Sequence, residues 1–98
     1  SESMVRLVWL LATSSDDKLR NGSEALRLAR RAKELSASPS PELLDALAAA
    51  YAETGDFAQA QAVARQAVEQ AQADGKNDLV RQIETRRSAY EARRTWRQ

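Results

Sequence analysis

The sequence predicts an all-α fold built from antiparallel helical hairpins, and three observations carry that prediction. Hydrophobic residues make up 43% of the 98-residue chain while aromatic residues make up only 5%, so alanine supplies much of the apolar surface. Small side chains of this kind favour closely packed helices over a sheet. Apolar residues recur at three- and four-residue steps, and Val, Ile and Thr never gather into an alternating run, so no strand is predicted. Turn and cap signals divide the chain at Asn21-Gly22, Ser38-Pro39-Ser40-Pro41, Gly55-Asp56 and Asp74-Gly75.

The elements follow in order. A first helix is predicted from Ser3 to Thr13, with Leu7, Trp9, Leu10 and Leu11 making it apolar on nearly all sides; Ser14-Ser15-Asp16-Asp17 breaks it. Ser23 is the expected N-cap of a second helix running to Leu35, whose small or apolar stripe is Ala25, Leu28, Ala29, Ala32 and Leu35. Ser40 caps a third helix and Pro41 occupies its first position, where a missing N–H costs nothing. That helix carries Leu43, Leu44, Leu47, Ala48 and Tyr51 and ends at Gly55, a residue suited to a left-handed C-terminal cap. Asp56 opens a fourth helix, with Gln59 completing a capping-box pattern. Its apolar residues run from Phe57 through Ala60, Val63, Ala64, Ala67 and Val68 to Ala71. Asn77 is the expected cap of a fifth, otherwise polar helix bearing Leu79, Val80, Ile83 and Tyr90.

Charge and composition narrow the chemistry. Fifteen basic and fourteen acidic residues leave a net charge of +1, but residues 76–98 hold seven of the basic and only three of the acidic side chains. Arg86, Arg87, Arg93, Arg94 and Arg97, interleaved with Tyr90 and Trp96, make an alternative reading as an RNA- or acidic-surface-binding module. The near-neutral total argues against nucleic acid, and arginines towards a helix C-terminus are favoured by its dipole in any case. The chain has no cysteine and no histidine. Disulfides, thiolate nucleophiles, Cys/His zinc sites and imidazole acid–base chemistry are therefore excluded within it, and no cofactor or metal is expected. Asp16-Asp17 has no phosphate cradle or metal-spacing motif beside it, so the chain is not expected to be an enzyme. The apolar run Met4–Ala12 is too short to span a bilayer, and no membrane association is expected. An early helical start suggests one domain, 1–98, cut from a larger protein. In that setting the chain has a further alternative as an accessory repeat segment of a larger enzyme.

Self-comparison supplies the organising pattern. At an offset of 35 residues Trp9 falls on Leu44, Ala12 on Leu47, Ala25 on Ala60 and Ala32 on Ala67. One repeat covers residues 6–37, a second covers 41–74, and a C-terminal capping helix over 77–92 continues the series. Two helices approach closely only where small side chains face each other, and Ala48, Ala60 and Ala67 supply those places. Each hairpin alone leaves an apolar face bare, so neighbours must stack.

The stretch from Pro41 to Ala60 resembles the tetratricopeptide repeat family. Leu44 stands where that family usually has tryptophan, and Leu47, Ala48, Tyr51, Gly55, Phe57, Ala60 and Ala67 fall on its leucine, small, tyrosine, glycine, aromatic and alanine positions. The proline expected after the second helix of the repeat is absent, and repeat one has a longer loop from Ser14 to Asn21. The resemblance implies an α-solenoid of hairpins acting as a non-catalytic protein–protein interaction scaffold. It also implies a concave groove lined by the first helix of each repeat. On this chain the groove positions are Leu7, Leu10 and Ser14, then Glu42, Asp45, Ala49, Ala52 and Glu53, then Val80, Glu84 and Arg87. Three carboxylates on the middle helix suit a basic or small-residue protein or peptide. Asp45 and Ala49 replace the lysine and asparagine of the family's carboxylate clamp, which disfavours a chaperone-adaptor role. Leu7, Val8, Leu10 and Leu11 exceed what one hairpin can bury, and so point to a contact with a preceding repeat or to homo-oligomerisation.

Overall fold

The computed structural model describes residues 7–9, 11, 21–35 and 39–94. Among these the chain is all-helical, with no strand. Helical residues 7–9 and 11 precede four bounded helices: α1 (Gly22–Leu35), α2 (Pro41–Glu53), α3 (Phe57–Ala73) and α4 (Asn77–Glu91). Leu10, Ala12, Ser14, the rest of the predicted loop to Arg20, Ser38 and Trp96 lie outside the described residues.

Local chemistry sets the helix ends. Ser40 Oγ accepts the N–H of Leu43 at 3.1 Å with Pro41 in the first turn, as its sequence predicts. Asp56 Oδ1 accepts the N–H of Gln59 at 3.2 Å. Only that half of the capping box forms, because the N–H of Asp56 itself donates to Tyr51 O at 3.0 Å. Two other caps depart from expectation. Asn21, not Ser23, caps α1, its Oδ1 accepting the Glu24 N–H at 3.1 Å, so the helix starts two residues sooner, at Gly22. Asn77 is the first residue of α4, and Lys76 precedes it without a side-chain cap.

Three helices end in one geometry. The N–H groups of Asp56, Lys76 and Arg94 reach back to the carbonyls of Tyr51, Ala71 and Ala89 at 3.0, 2.9 and 2.8 Å. The residue before each donor must take a left-handed conformation to close this bond. Gly55 does so at φ 88° and Gly75 at φ 72°, whereas α4 uses Arg93 at φ 58°.

Packing runs between chain neighbours, α1 on α2, α2 on α3 and α3 on α4. The turns at 54–56 and 74–76 are short enough to fold each helix back along its predecessor. Ala25, Ala29, Ala60, Ala64, Ala67 and Ala71 have no exposed surface, so both second helices of the 35-residue repeat turn their small faces inward. Leu35 is the exception on the α1 stripe, 72% exposed at the helix end. Helix α2 lies at the centre, with ten of its thirteen residues buried. A helix without a polar face must be covered on all sides, and α2 offers only Glu42, Asp45 and Glu53 as charged residues. Leu47, Ile83 and Tyr90 fill the space between helices. Full burial of a leucine such as Leu47 contributes about 1.5–3 kcal/mol.

Candidate functional site

Glu42, Asp45, Ala49 and Ala52 recur at three- and four-residue steps, which puts them on one face of α2. The structure turns this face towards α4 and the N-terminal helical residues. At its start Lys76 Nζ donates to Glu42 Oε2 at 2.8 Å. One turn further, Arg86 Nη1 donates to Asp45 Oδ2. The Asp45 side chain is 3% exposed and that of Arg86 18% exposed, so this is a buried ion pair with Arg86 on its outer side. The guanidinium of Arg86 also lies 4.8 Å from the centre of the Trp9 ring, within the ~6 Å range of cation–π attraction. One arginine therefore ties three elements together: the N-terminal helical residues, α2 and α4.

The electrostatics follow from burial. Loss of water pushes the Asp45 carboxyl up to about 7, against the lowering pull of Arg86 and with a smaller upward push from Glu42. Tyr90 is also buried, and its phenol is raised above the usual tyrosine range, first by burial and then by the negative charge of Asp45. The hydrogen bond from Lys76 holds Glu42 below the usual glutamate range. Three buried oxygens of the cluster have no hydrogen-bond partner: Asp45 Oδ1, Glu42 Oε1 and Tyr90 Oη. Leaving such atoms unpaired is costly.

The predicted groove positions divide into two sets. Asp45, Ala49 and Ala52 are buried, at 2%, 2% and 0% exposure, and so form the floor of the face rather than open surface. Glu42, Glu53, Glu84 and Arg87 are half-exposed and form its edges, as is Val80. Arg87 is bonded to Glu84 at 3.0 Å and lies 3.9 Å from Glu91. Of the predicted self-association residues, Val8 is fully buried, Leu11 is partly buried against the core and Leu7 is 43% exposed. Leu10 lies outside the described residues, so among those described Leu7 alone offers exposed apolar surface at this end.

The sequence reading missed Arg86 and Trp9 as members of this cluster. Sequence alone places Arg86 in the arginine-rich C-terminal segment and Trp9 among the apolar residues of the first helix. A signal was present, because Ile83, Arg86 and Tyr90 share a helix face by spacing, which places a guanidinium in an otherwise apolar stripe of α4. Arg86 and Arg87 are thereby withdrawn from the basic tail, leaving Arg93 and Arg94 exposed at its described end. Open depressions elsewhere, such as that beside Arg27, Arg30 and Arg31 on α1, carry ordinary surface side chains. Among the described residues no group of three acidic, histidine or cysteine side chains is placed to hold a metal, and no helix is long and apolar enough to cross a membrane. No protein-family model, curated protein or solved structure matches the chain.

Proposed function

We propose that this chain is a non-catalytic protein-binding scaffold of tetratricopeptide-like architecture, two stacked hairpins followed by a capping helix. Its groove is formed by the N-terminal helical residues, α2 and α4. The observation that supports this reading most is the repeated alanine seam. Ala25 and Ala60, 35 residues apart, are both fully buried, and Ala32 and Ala67 repeat the relation at 5% and 0% exposure. Close approach of helices at these points fits a unit whose purpose is stacking. The half-exposed carboxylates Glu42, Glu53 and Glu84 lie along the groove edges, and although Glu42 is bonded to Lys76 and Glu84 to Arg87, these half-exposed pairs can exchange their cations for those of a basic polypeptide segment. Protein is favoured over nucleic acid because Arg86 and Arg87 are engaged with Asp45 and Glu84.

Selection of a displayed library of random short peptides against the whole chain tests the reading. Enriched peptides should be basic and should lose binding to Glu42→Lys and Glu84→Lys. Backbone amide shifts on binding should map to α2 and α4. Failure to enrich any peptide, or shifts confined to the outer faces of α1 and α3, would refute a groove role.

A further inference from the structure

The Asp45–Arg86 pair uses only half of what a carboxylate offers a guanidinium. An arginine free to orient itself meets a carboxylate through two parallel N–H···O bonds, one to each oxygen. Arg86 bonds Asp45 through Oδ2, while Oδ1 is buried without a donor. Arg86 reaches Asp45 from α4, whereas a side chain entering from outside is not tethered to that helix. Glu42 Oε1, one helical turn from Asp45, is a second buried acceptor without a donor. The face of Trp9 already receives a guanidinium. Carboxylate, second acceptor and indole face together make a receptor for an arginine side chain, and the chain's own arginine fits it imperfectly.

We propose that Asp45, Glu42 and Trp9 form a guanidinium-binding site, closed in the free chain by Arg86 and opened when the arginine of a basic partner segment displaces it. The incoming side chain reaches the site from the groove, free of the restraint that α4 places on Arg86, and can engage both Asp45 oxygens. Arg86, whose side chain is the more exposed of the pair, moves outward from the site as the partner's arginine enters. Its displacement loosens the tie between α2 and α4, so that occupancy of the site and the fit of the last helix are linked. This inference rests on the groove reading and names the chemistry of its ligand.

The closed state sets the expected numbers. A ligand that binds only the open form has its apparent affinity reduced by the fraction of chains that are open, and removing Arg86 removes that reduction. The probe is an acetylated, amidated Ala-Arg-Ala tripeptide, titrated into the whole chain with the Trp9 indole and Ala49 amide resonances as readouts. Arg86→Ala should bind it at least about tenfold more tightly than the unaltered chain, the 10:1 ratio expected if fewer than one chain in ten is open. Lysine and citrulline counterparts should bind at least about tenfold more weakly, since neither presents a charged planar fork. Adding Asp45→Asn to Arg86→Ala should abolish the preference for arginine. If Arg86→Ala does not fold, Arg86→Gln, which keeps a polar stem over the site, is compared with the same thresholds. Equal binding by the unaltered and Arg86-substituted chains, equal binding of citrulline, or shifts that bypass Trp9 and Ala49 would each overturn the proposal. If library-selected peptides still perturb the α2 and α4 face after such a result, the guanidinium site falls while the groove reading stands.

Discussion

Burial of Asp45 leads to a pH dependence of stability opposite to that of most surface carboxylates. In the folded chain the group titrates near 7, against 3.8 for an ordinary aspartate. Between these values the folded state holds a proton that the unfolded state has released. Stability therefore falls as pH rises from about 4 to about 7, and this group adds no further change above that range. The shift of about three pH units, at about 1.36 kcal/mol each, sets a change of about 4 kcal/mol as the ceiling. Charged and titratable groups face Asp45 from two elements: Glu42 on its own helix, and Arg86 and Tyr90 on α4. Glu42 acts in the opposite direction. Its folded value lies below 4.5, so the stability it contributes is lost as pH falls through that lower range, beneath the Asp45 window. Asp45→Asn isolates the effect, since the amide oxygen still accepts a bond from Arg86 while the titration is gone. Urea unfolding of both proteins, at intervals from about pH 4 to about pH 8 across the aspartate and histidine titration ranges, gives the comparison. The difference in unfolding free energy between them should change by several kcal/mol over the window, with the unaltered chain losing ground as pH rises. A difference that stays constant with pH would show that Asp45 titrates normally and that the burial account is wrong.

Three further outcomes follow from the packing and the turns. Ala60→Leu should destabilise the fold by about 1–3 kcal/mol through overpacking, while Ala62→Leu, on the exposed side of the same helix, should stay within about 0.5 kcal/mol; thermal unfolding of the two variants checks this. Arg93→Gly should stabilise α4 by about 1 kcal/mol, because a left-handed residue with a Cβ carries a penalty of about 1–2 kcal/mol that glycine escapes. A shift in urea midpoint at unchanged slope measures that gain, and a loss of stability would contradict it. If the N-terminal end drives self-association, sedimentation velocity over a range of concentrations should show a dimer that Leu7→Gln disperses; a chain that stays monomeric throughout removes that role.

What the sequence made legible was whatever a few adjacent residues decide. Ser40 with Pro41, and Gly55 with Asp56, fix the ends of helices by bonds spanning three to five residues, and the structure places them as expected. The alanines at an offset of 35 were legible for a different reason. Sterics admit few other residues where helix backbones approach closely, so the pattern survives even where Leu44 stands 35 residues after Trp9. Caps were misread where two polar residues competed within a turn, as Asn21 did with Ser23.

The α2 face was ambiguous because alanine is both the best exposed helix former and the residue of closest packing. Ala49 and Ala52 carry no mark of which role they play, and Asp45 among them has the pattern of a solvated groove. In the fold it is buried and paired with Arg86, a residue 41 positions away on another helix. Short-range signals are silent about such a pairing. Helices that pack through alanines place few large side chains at their seams, and here a single arginine spans from Asp45 to Trp9. If this face is the groove proposed above, Arg86 is the residue that closes it over Asp45, and one substitution at Arg86 separates a groove closed by its own chain from a face that was never built to receive a ligand.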